Sequence, residues 1–151
     1  MQESEIRKAV KADLPGIRAC AENAYRMYIE RIGREPAPMV ADFAASIERG
    51  HLFVIDQNDA IAGFVVFYGK TGFVHLENVA VNPYFQKRGI GKKLIEFVEK
   101  QARADGYSRI ELYTNAKMTE NLELYPRLGY QEFDRHIEDG FDRVYFGKVL
   151  D

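Results

Sequence analysis

The chain has 151 residues, 46% of them hydrophobic, with 10 Phe, 9 Tyr and no Trp. That is the make-up of one globular domain and excludes a disordered segment. Against 23 Asp and Glu stand 21 Lys and Arg, so the formal charge is −2 and a global electrostatic grip on nucleic acid or an acidic membrane is not expected. Cys20 is the single cysteine, which excludes an internal disulfide framework. No apolar run reaches the roughly 18 residues that span a bilayer. The acidic start Met1-Gln2-Glu3-Ser4-Glu5 is unlike a signal or transit peptide. A cytoplasmic protein with a single domain over residues 3–150 is the expectation.

Residues 5–10 read as a short strand. Asp13-Leu14-Pro15 opens a helix, with Pro tolerated in its first turn. Leu14, Ile17, Cys20, Ala21, Ala24, Met27 and Tyr28 recur along it at helical spacing, and Gly33 should end it. Pro36 and Pro38 make the next stretch a loop. Residues 39–49 read as a second helix, stopped by Gly50. Strands follow at 51–56, 61–68 and 73–81, separated by Gln57-Asn58-Asp59-Ala60 and Gly69-Lys70-Thr71-Gly72, both of which are turn chemistry. Asn82-Pro83 ends the third. Gly89 to about Asp105 is a helix whose buried face is Ile90, Leu94, Ile95, Phe97, Val98 and Ala102, and Gly106 is its stop. A strand at 109–114, a short helix at 119–128 and two closing strands at 130–137 and 141–150 complete the order βααβββαβαββ. This is an α+β arrangement: a mixed, mostly antiparallel, seven-stranded sheet with helices on both faces.

The chemically informative stretch is Val79-Ala80-Val81-Asn82-Pro83-Tyr84-Phe85-Gln86-Lys87-Arg88-Gly89-Ile90-Gly91-Lys92-Lys93. It runs strand, turn, two glycines, helix. The first turn of a helix carries unpaired N–H donors and the positive end of the dipole, which together favour a bound phosphate. A P-loop needs four residues between its glycines, and the dinucleotide fingerprint needs a third Gly where Leu94 stands, so both fail on spacing. What remains is a Gln-x-x-Gly-x-Gly turn whose amides can wrap one pyrophosphate. Lys87, Arg88, Lys92 and Lys93 crowd the helix start, where cations oppose the macrodipole by about 0.3–1 kcal/mol each. A bound polyanion reverses that penalty. A solvated basic face and a nucleotide-phosphate site are the competing readings.

Together with Val79-Ala80-Val81 before it and Tyr125-Pro126-Arg127-Leu128-Gly129-Tyr130 after it, the stretch Gln86-Lys87-Arg88-Gly89-Ile90-Gly91 resembles the GCN5-related N-acetyltransferase (GNAT) superfamily. The first stretch is similar to its Q/R-x-x-G-x-G/A motif and the second to its Tyr-x-x-x-Gly-Phe/Tyr motif. The resemblance implies acetyl-CoA as co-substrate, no metal, and transfer of acetyl to a primary amine of a small molecule or peptide. It also implies that the strand at 73–81 carries a bulge and splays from the strand at 109–114. The pantetheine arm would lie there against Val79, Ala80 and Val81, and the amides from Lys87 through Arg88, Gly89, Ile90 and Gly91 to Lys92 would hold the pyrophosphate beside Gln86. Tyr125 becomes the acid that protonates the leaving thiolate, a phenol being nearly matched to a thiol in pKa. Asn121, four residues earlier on the same helix face, becomes a partner for the pantetheine arm; the family's commoner Asn stands where this chain has Met118. Asn115 is a weaker candidate for the same task. Glu77 is the first candidate for general base and His75 the second, about 7 Å apart on one strand face. The oxyanion donor would be a backbone N–H near Val79.

By the same resemblance, the first two helices and their loop, with the last strands, shape the acceptor site. Tyr25, Tyr28 and Met39 offer apolar contact there. Arg31 and Arg34 could pair with a substrate carboxylate, whereas Glu132, Asp134, Glu138 and Asp139 would favour a cationic amine. The helical register of Cys20 makes it a core residue rather than a ping-pong nucleophile, and the scattered His51, His75 and His136 suggest no metal site. The alternative to an enzyme is a catalytically inactive acyl-CoA sensor or interaction module of the same fold. No nucleic acid or membrane partner is expected, and the closing strands could pair across a homodimer.

Overall fold

A computed structural model describes residues 6–85 and 88–151. Seven strands form one sheet: β1 (Ile6–Lys8), β2 (Leu52–Gln57), β3 (Ala60–Lys70), β4 (Phe73–Val81), β5 (Arg109–Asn115), β6 (Gln131–Glu138) and β7 (Phe141–Val149). Their spatial order is β1-β2-β3-β4-β5-β7-β6. The β4–β5 pair is parallel and every other pair is antiparallel. The helices are α1 (Leu14–Ile32), α2 (Phe43–Glu48), α3 (Ile90–Ala104) and α4 (Thr119–Arg127). The element order and the mixed sheet agree with the sequence expectation.

Two apolar layers sandwich the sheet. On one face α3 buries Ile90, Leu94, Ile95, Val98 and Ala102 against Val65, Val74, Leu76, Ile110 and Leu112. On the other, α1 buries Ile17, Cys20, Ala21, Tyr25 and Tyr28 against Leu52, Val54, Phe64 and Val66. Each large apolar side chain so buried contributes about 1.5–3 kcal/mol. The buried stripe of α1 differs from expectation at one step. Met27 is 48% exposed, and Tyr25 is buried in its place. Phe97 is half-buried, its ring 5.1 Å from that of Phe53. α1 ends at Gly33, whose N–H donates to the Ile29 carbonyl at 2.8 Å.

The second helix expected over 39–49 is instead two pieces. A short 3-10 turn, Ala37–Val40, contains Pro38, and Ala41 then takes an extended conformation. Asp42 restarts the chain as an N-cap, its side chain accepting from the Ala45 N–H at 3.1 Å. Proline in the first piece and the capping carboxylate in the second set two separate helix starts.

Two features position the functional region. A β-bulge in β4 separates Leu76, opposite Phe67, from Asn78, opposite Val66, and leaves Glu77 without a ladder partner. β4 also pairs with β5 only at Val74–Ile110 and His75–Glu111, after which the two strands diverge. The first turn of α3 is seated by Gly63 on β3. A Cβ there would stand 2.7 Å from the Ala80 carbonyl oxygen and 3.2 Å from both Ile90 and Leu94. Gly63→Ala is therefore expected to cost about 1–3 kcal/mol through overpacking, read as a lower midpoint in urea denaturation. An unchanged midpoint would mean that α3 is not held this tightly to the sheet.

Candidate active site

The bulge changes which way β4 faces. Before it, Val74 and Leu76 point into the α3 layer. After it, Ala80 lies in the α1 layer and Asn78 bonds to Tyr25 of α1, while Val79 and Val81 pack toward α3. The expected alternation of His75, Glu77, Val79 and Val81 onto one face thus breaks at Glu77. The extra residue shifts the period-2 pattern by one. It also places the unpaired residue at Glu77 rather than near Val79, which stays opposite Val65 in the ladder.

Where β4 and β5 part, a cleft of about 520 Å³ opens. Leu76, Glu77, Asn78 and Val79 line one wall, and Leu112, Tyr113, Thr114 and Asn115 line the other. Met118, Asn121 and Tyr125 close one end, and the segment from Pro36 through α2 to Arg49 covers it. Buried Asn78 holds the parts in register. Its Oδ1 accepts from the Tyr25 hydroxyl at 2.6 Å, and its Nδ2 donates to the Pro38 carbonyl at 2.9 Å. The same Tyr25 hydroxyl is 2.8 Å from the Val79 carbonyl. Tyr25 is thus a tie between α1 and the cleft wall, more than the apolar contact expected of it. Tyr28 and Met39 are buried and do not line the cleft.

Tyr125 is 6% exposed, its ring 5.8 Å from both Tyr130 and Phe146. Its hydroxyl has no hydrogen-bond partner among the described residues, and no buried side-chain oxygen is both unpartnered and sealed from solvent. The phenol tip therefore opens into the cleft. Burial raises its pKa well above the ordinary phenol value, so it is protonated at neutral pH. The proximity of Tyr125 also raises the Tyr25 hydroxyl, second to burial. Asn121 is half-buried on the cleft wall, its Nδ2 donating to Thr114 Oγ1 at 3.1 Å. Asn115 lines the cleft but its Oδ1 accepts from the Lys117 N–H.

Glu77 is exposed at the junction of this cleft with a second groove of about 320 Å³, and it accepts from the Tyr68 hydroxyl at 3.2 Å. His75 lines only the second groove. It sits between the rings of Tyr68 and Tyr113, at 5.5 and 5.7 Å. Burial, then the nearby Lys70, pushes its pKa down to about 4, so the ring is neutral at pH 7.

The glycine turn lies on the surface at the far end of β4. Gly89 has φ 72 and is the N-cap of α3, with open space where a Cβ would stand. The first intrahelical bond runs from Lys93 N–H to the Gly89 carbonyl, which leaves the amides of Ile90, Gly91 and Lys92 without helical partners. Val81 abuts this turn, its Cγ2 3.6 Å from where a Gly91 Cβ would stand. Arg88 donates to Gln57 Oε1 at 3.1 Å and lies over the Phe85 ring. Ala80 is buried and faces away from the cleft. Gln86 and Lys87 lie outside the described residues.

The two arginines expected to meet a substrate carboxylate are engaged elsewhere. Arg31 pairs with Glu120 of α4 at 2.8 Å. Arg34 donates to the Asp139 carbonyl at 2.6 Å and lies 3.7 Å over the Phe141 ring. Both join the 31–39 segment to distant elements. Of the four acids expected to attract a cationic amine, Glu138 alone lines either the cleft or the adjoining groove. Cys20 is 1% exposed and away from the cleft, and burial pushes its thiol up to about 12. Among the described residues no cluster of His, Cys, Asp or Glu could hold a metal ion, and no helix is long and apolar enough to cross a membrane. Asn78, Arg49 and Arg143 line the cleft without having been singled out from the sequence.

Comparison with known proteins places this geometry. The chain is 30% identical over 86 residues to an uncharacterized N-acetyltransferase, YvbK, of Bacillus subtilis, covering 56% of each chain. It is 29% identical over 85 residues to the [ribosomal protein bS18]-alanine N-acetyltransferase of Escherichia coli, covering 56% of this chain and 57% of that one. The matches thus span little more than half the length of these relatives. The fold is similar to that of the paia N-acetyltransferase of Thermoplasma acidophilum in complex with coenzyme A, with a TM-score of 0.80 at 17% identity, over 99% of this chain and all of that one. The model of the acetyltransferase (GNAT) family matches residues 17–130, and the chain belongs to that family.

Proposed function

We propose that the chain transfers an acetyl group from acetyl-CoA to a primary amine of a small molecule or peptide, by direct attack with both substrates bound. The observation that carries this reading is the parting of β4 and β5 after His75. It leaves the edge of β4 from Leu76 onward without a β5 partner, in the cleft that Tyr125 also lines, while the far end of the strand, Val81, abuts the first turn of α3. The amides of Ile90, Gly91 and Lys92, with Arg88 and Lys92 as counter-charges, fit a pyrophosphate. The Val79 edge and Asn121 fit the amides of a pantetheine arm. A primary amine on a peptide, such as the alanine in the name of the Escherichia coli relative, falls within the acceptor class.

In the proposed step the nitrogen–carbon bond forms and the carbon–sulfur bond breaks. Glu77, at the bulge and open to water, takes the proton from the attacking ammonium. Tyr125 gives its proton to the departing thiolate. Burial raises the phenol, and it raises a thiol bound beside it in the same direction, so the transfer stays close to balanced. The bulge supplies a backbone N–H for the oxyanion. Cys20, buried with a thiol near 12, is unsuited to carry the acetyl group, which favours direct attack.

Tyr125→Phe is expected to lower kcat tenfold or more, with a much smaller effect on acetyl-CoA affinity measured by calorimetry. An unchanged kcat removes Tyr125 from the chemistry. Gly89→Val is expected to abolish coenzyme binding, because a β-branched residue is strained at φ 72 and its side chain fills the space beside the amides. Retained binding would place the pyrophosphate elsewhere. An inactive acyl-CoA-binding module would bind the coenzyme yet release no thiol with any amine.

His75 makes stability depend on pH. Its folded pKa of about 4 lies below the ordinary 6.5, so the unfolded chain binds more protons between those values. This contribution is complete above pH 6.5 and is lost as the pH falls toward 4. Urea midpoints measured across that window should decline less steeply for His75→Asn than for the wild type. Equal slopes would show that His75 titrates normally in the fold.

A further inference from the structure

The wall of the cleft opposite Glu77's strand holds a guanidinium that the transfer step does not use. Arg143 lies on β7 opposite Asn115 and is 8% exposed. It lines both the main cleft and the adjoining groove. Its guanidinium sits 4.4 Å over the Tyr113 ring and 5.7 Å from that of Phe141. Two carboxylates approach it, both nearest to Nη1: Glu138 at 3.6 Å and Asp139 at 3.7 Å. Both distances exceed a hydrogen bond. Glu138 is meanwhile shared with His136 and the Tyr145 hydroxyl, and the Asp139 side chain is 84% exposed.

None of the five N–H donors of Arg143 therefore makes a hydrogen bond among the described residues. None of its nitrogens is sealed away either, since no buried, unpartnered side-chain nitrogen or oxygen occurs among them. The unspent donors are therefore accessible from the cleft or the groove that Arg143 lines. A guanidinium this buried gains most from an acceptor that matches its planar fork, and a carboxylate does. Arg49, which also lines the cleft, makes no ion pair among the described residues. Of the two acids on the main cleft, Asp42 accepts the Ala45 N–H as the cap of α2, which leaves Glu77 nearer to free. The lining of the cleft thus holds one available carboxylate and two cationic groups, the complement of a zwitterion.

We infer that Arg143 binds a carboxylate carried by the acceptor, so that the acceptors are amino acids or carboxylate-bearing peptides rather than simple amines. The inference rests on the acetyl-transfer reading and names its substrate class. The test follows thiol release from acetyl-CoA with the 20 common L-amino acids, their α-amides, and the corresponding amines lacking the carboxyl group. At least one free acid should exceed its amide tenfold or more in kcat/KM. In R143Q that ratio should fall toward one, chiefly through KM, and R143K should restore part of it. If the amides of Asp and Glu keep the preference, the carboxylate recognised is a side-chain one; if they lose it, it is the α-carboxylate.

Calorimetry on the CoA-loaded protein gives a second readout, in which N-acetylated acids should bind tenfold or more tightly than their amides. If R143Q does not fold, R143K and the wild-type selectivity decide. Amides or simple amines used as well as the acids would overturn the inference. So would a ratio untouched in R143Q, or a protein that binds acetyl-CoA but neither acetylates nor binds any acid. Failure to bind acetyl-CoA at all would instead overturn the transfer reading.

Discussion

One extra residue in β4 organises the molecule. By leaving Glu77 outside the ladder, the bulge turns Asn78 and Ala80 toward α1 and Val79 and Val81 toward α3. A β-bulge bends its strand and sharpens the local twist, and here the strand leaves its parallel neighbour two residues earlier, after His75. Had the pairing continued, the hydrogen-bonding edge of β4 would be spent on β5 and the central space would be filled by the sheet itself. The cleft is the volume that the missing pairing creates.

Such a split is costly, because it removes ladder hydrogen bonds from the middle of a sheet. Other contacts offset the loss. Asn78, Tyr25 and the Pro38 carbonyl form a buried polar chain that joins strand, helix and loop at 2.6–2.9 Å. On the opposite face, buried Glu99 accepts from the Tyr130 hydroxyl and from Lys148, which also donates to the Leu128 carbonyl. That second network fastens α3 to β7 and to the end of α4. One wall is held through α1, and α3, packed against β4 and β5 alike, joins the two walls while its link to β7 steadies the second.

Much of this was legible in the sequence because it is local. The limits of β4 agree with its apolar run, α1 stops at Gly33, and the Gly-x-Gly turn opens α3. What was not legible depends on partners far away in the chain. Arg31 and Arg34 look like free loop cations until Glu120 and the Asp139 carbonyl, 89 and 105 residues on, are placed beside them. Asn78 reads as one polar residue in a strand, and only the bulge turns it toward Tyr25. The break at Ala41–Asp42 has a local signal, since Asp three residues before Ala45 is capping chemistry.

The single cysteine has a practical side. Cys20 is enclosed between α1 and the sheet, and its thiol, near 12, carries almost no thiolate at neutral pH. A disulfide reagent added to the native protein meets a silent background, so colour from liberated coenzyme is read without correction. The same reagent becomes a probe of motion when no coenzyme is present. It can label Cys20 only when α1 lifts from the strands beneath it, so the rate of that labelling measures how often the helix opens.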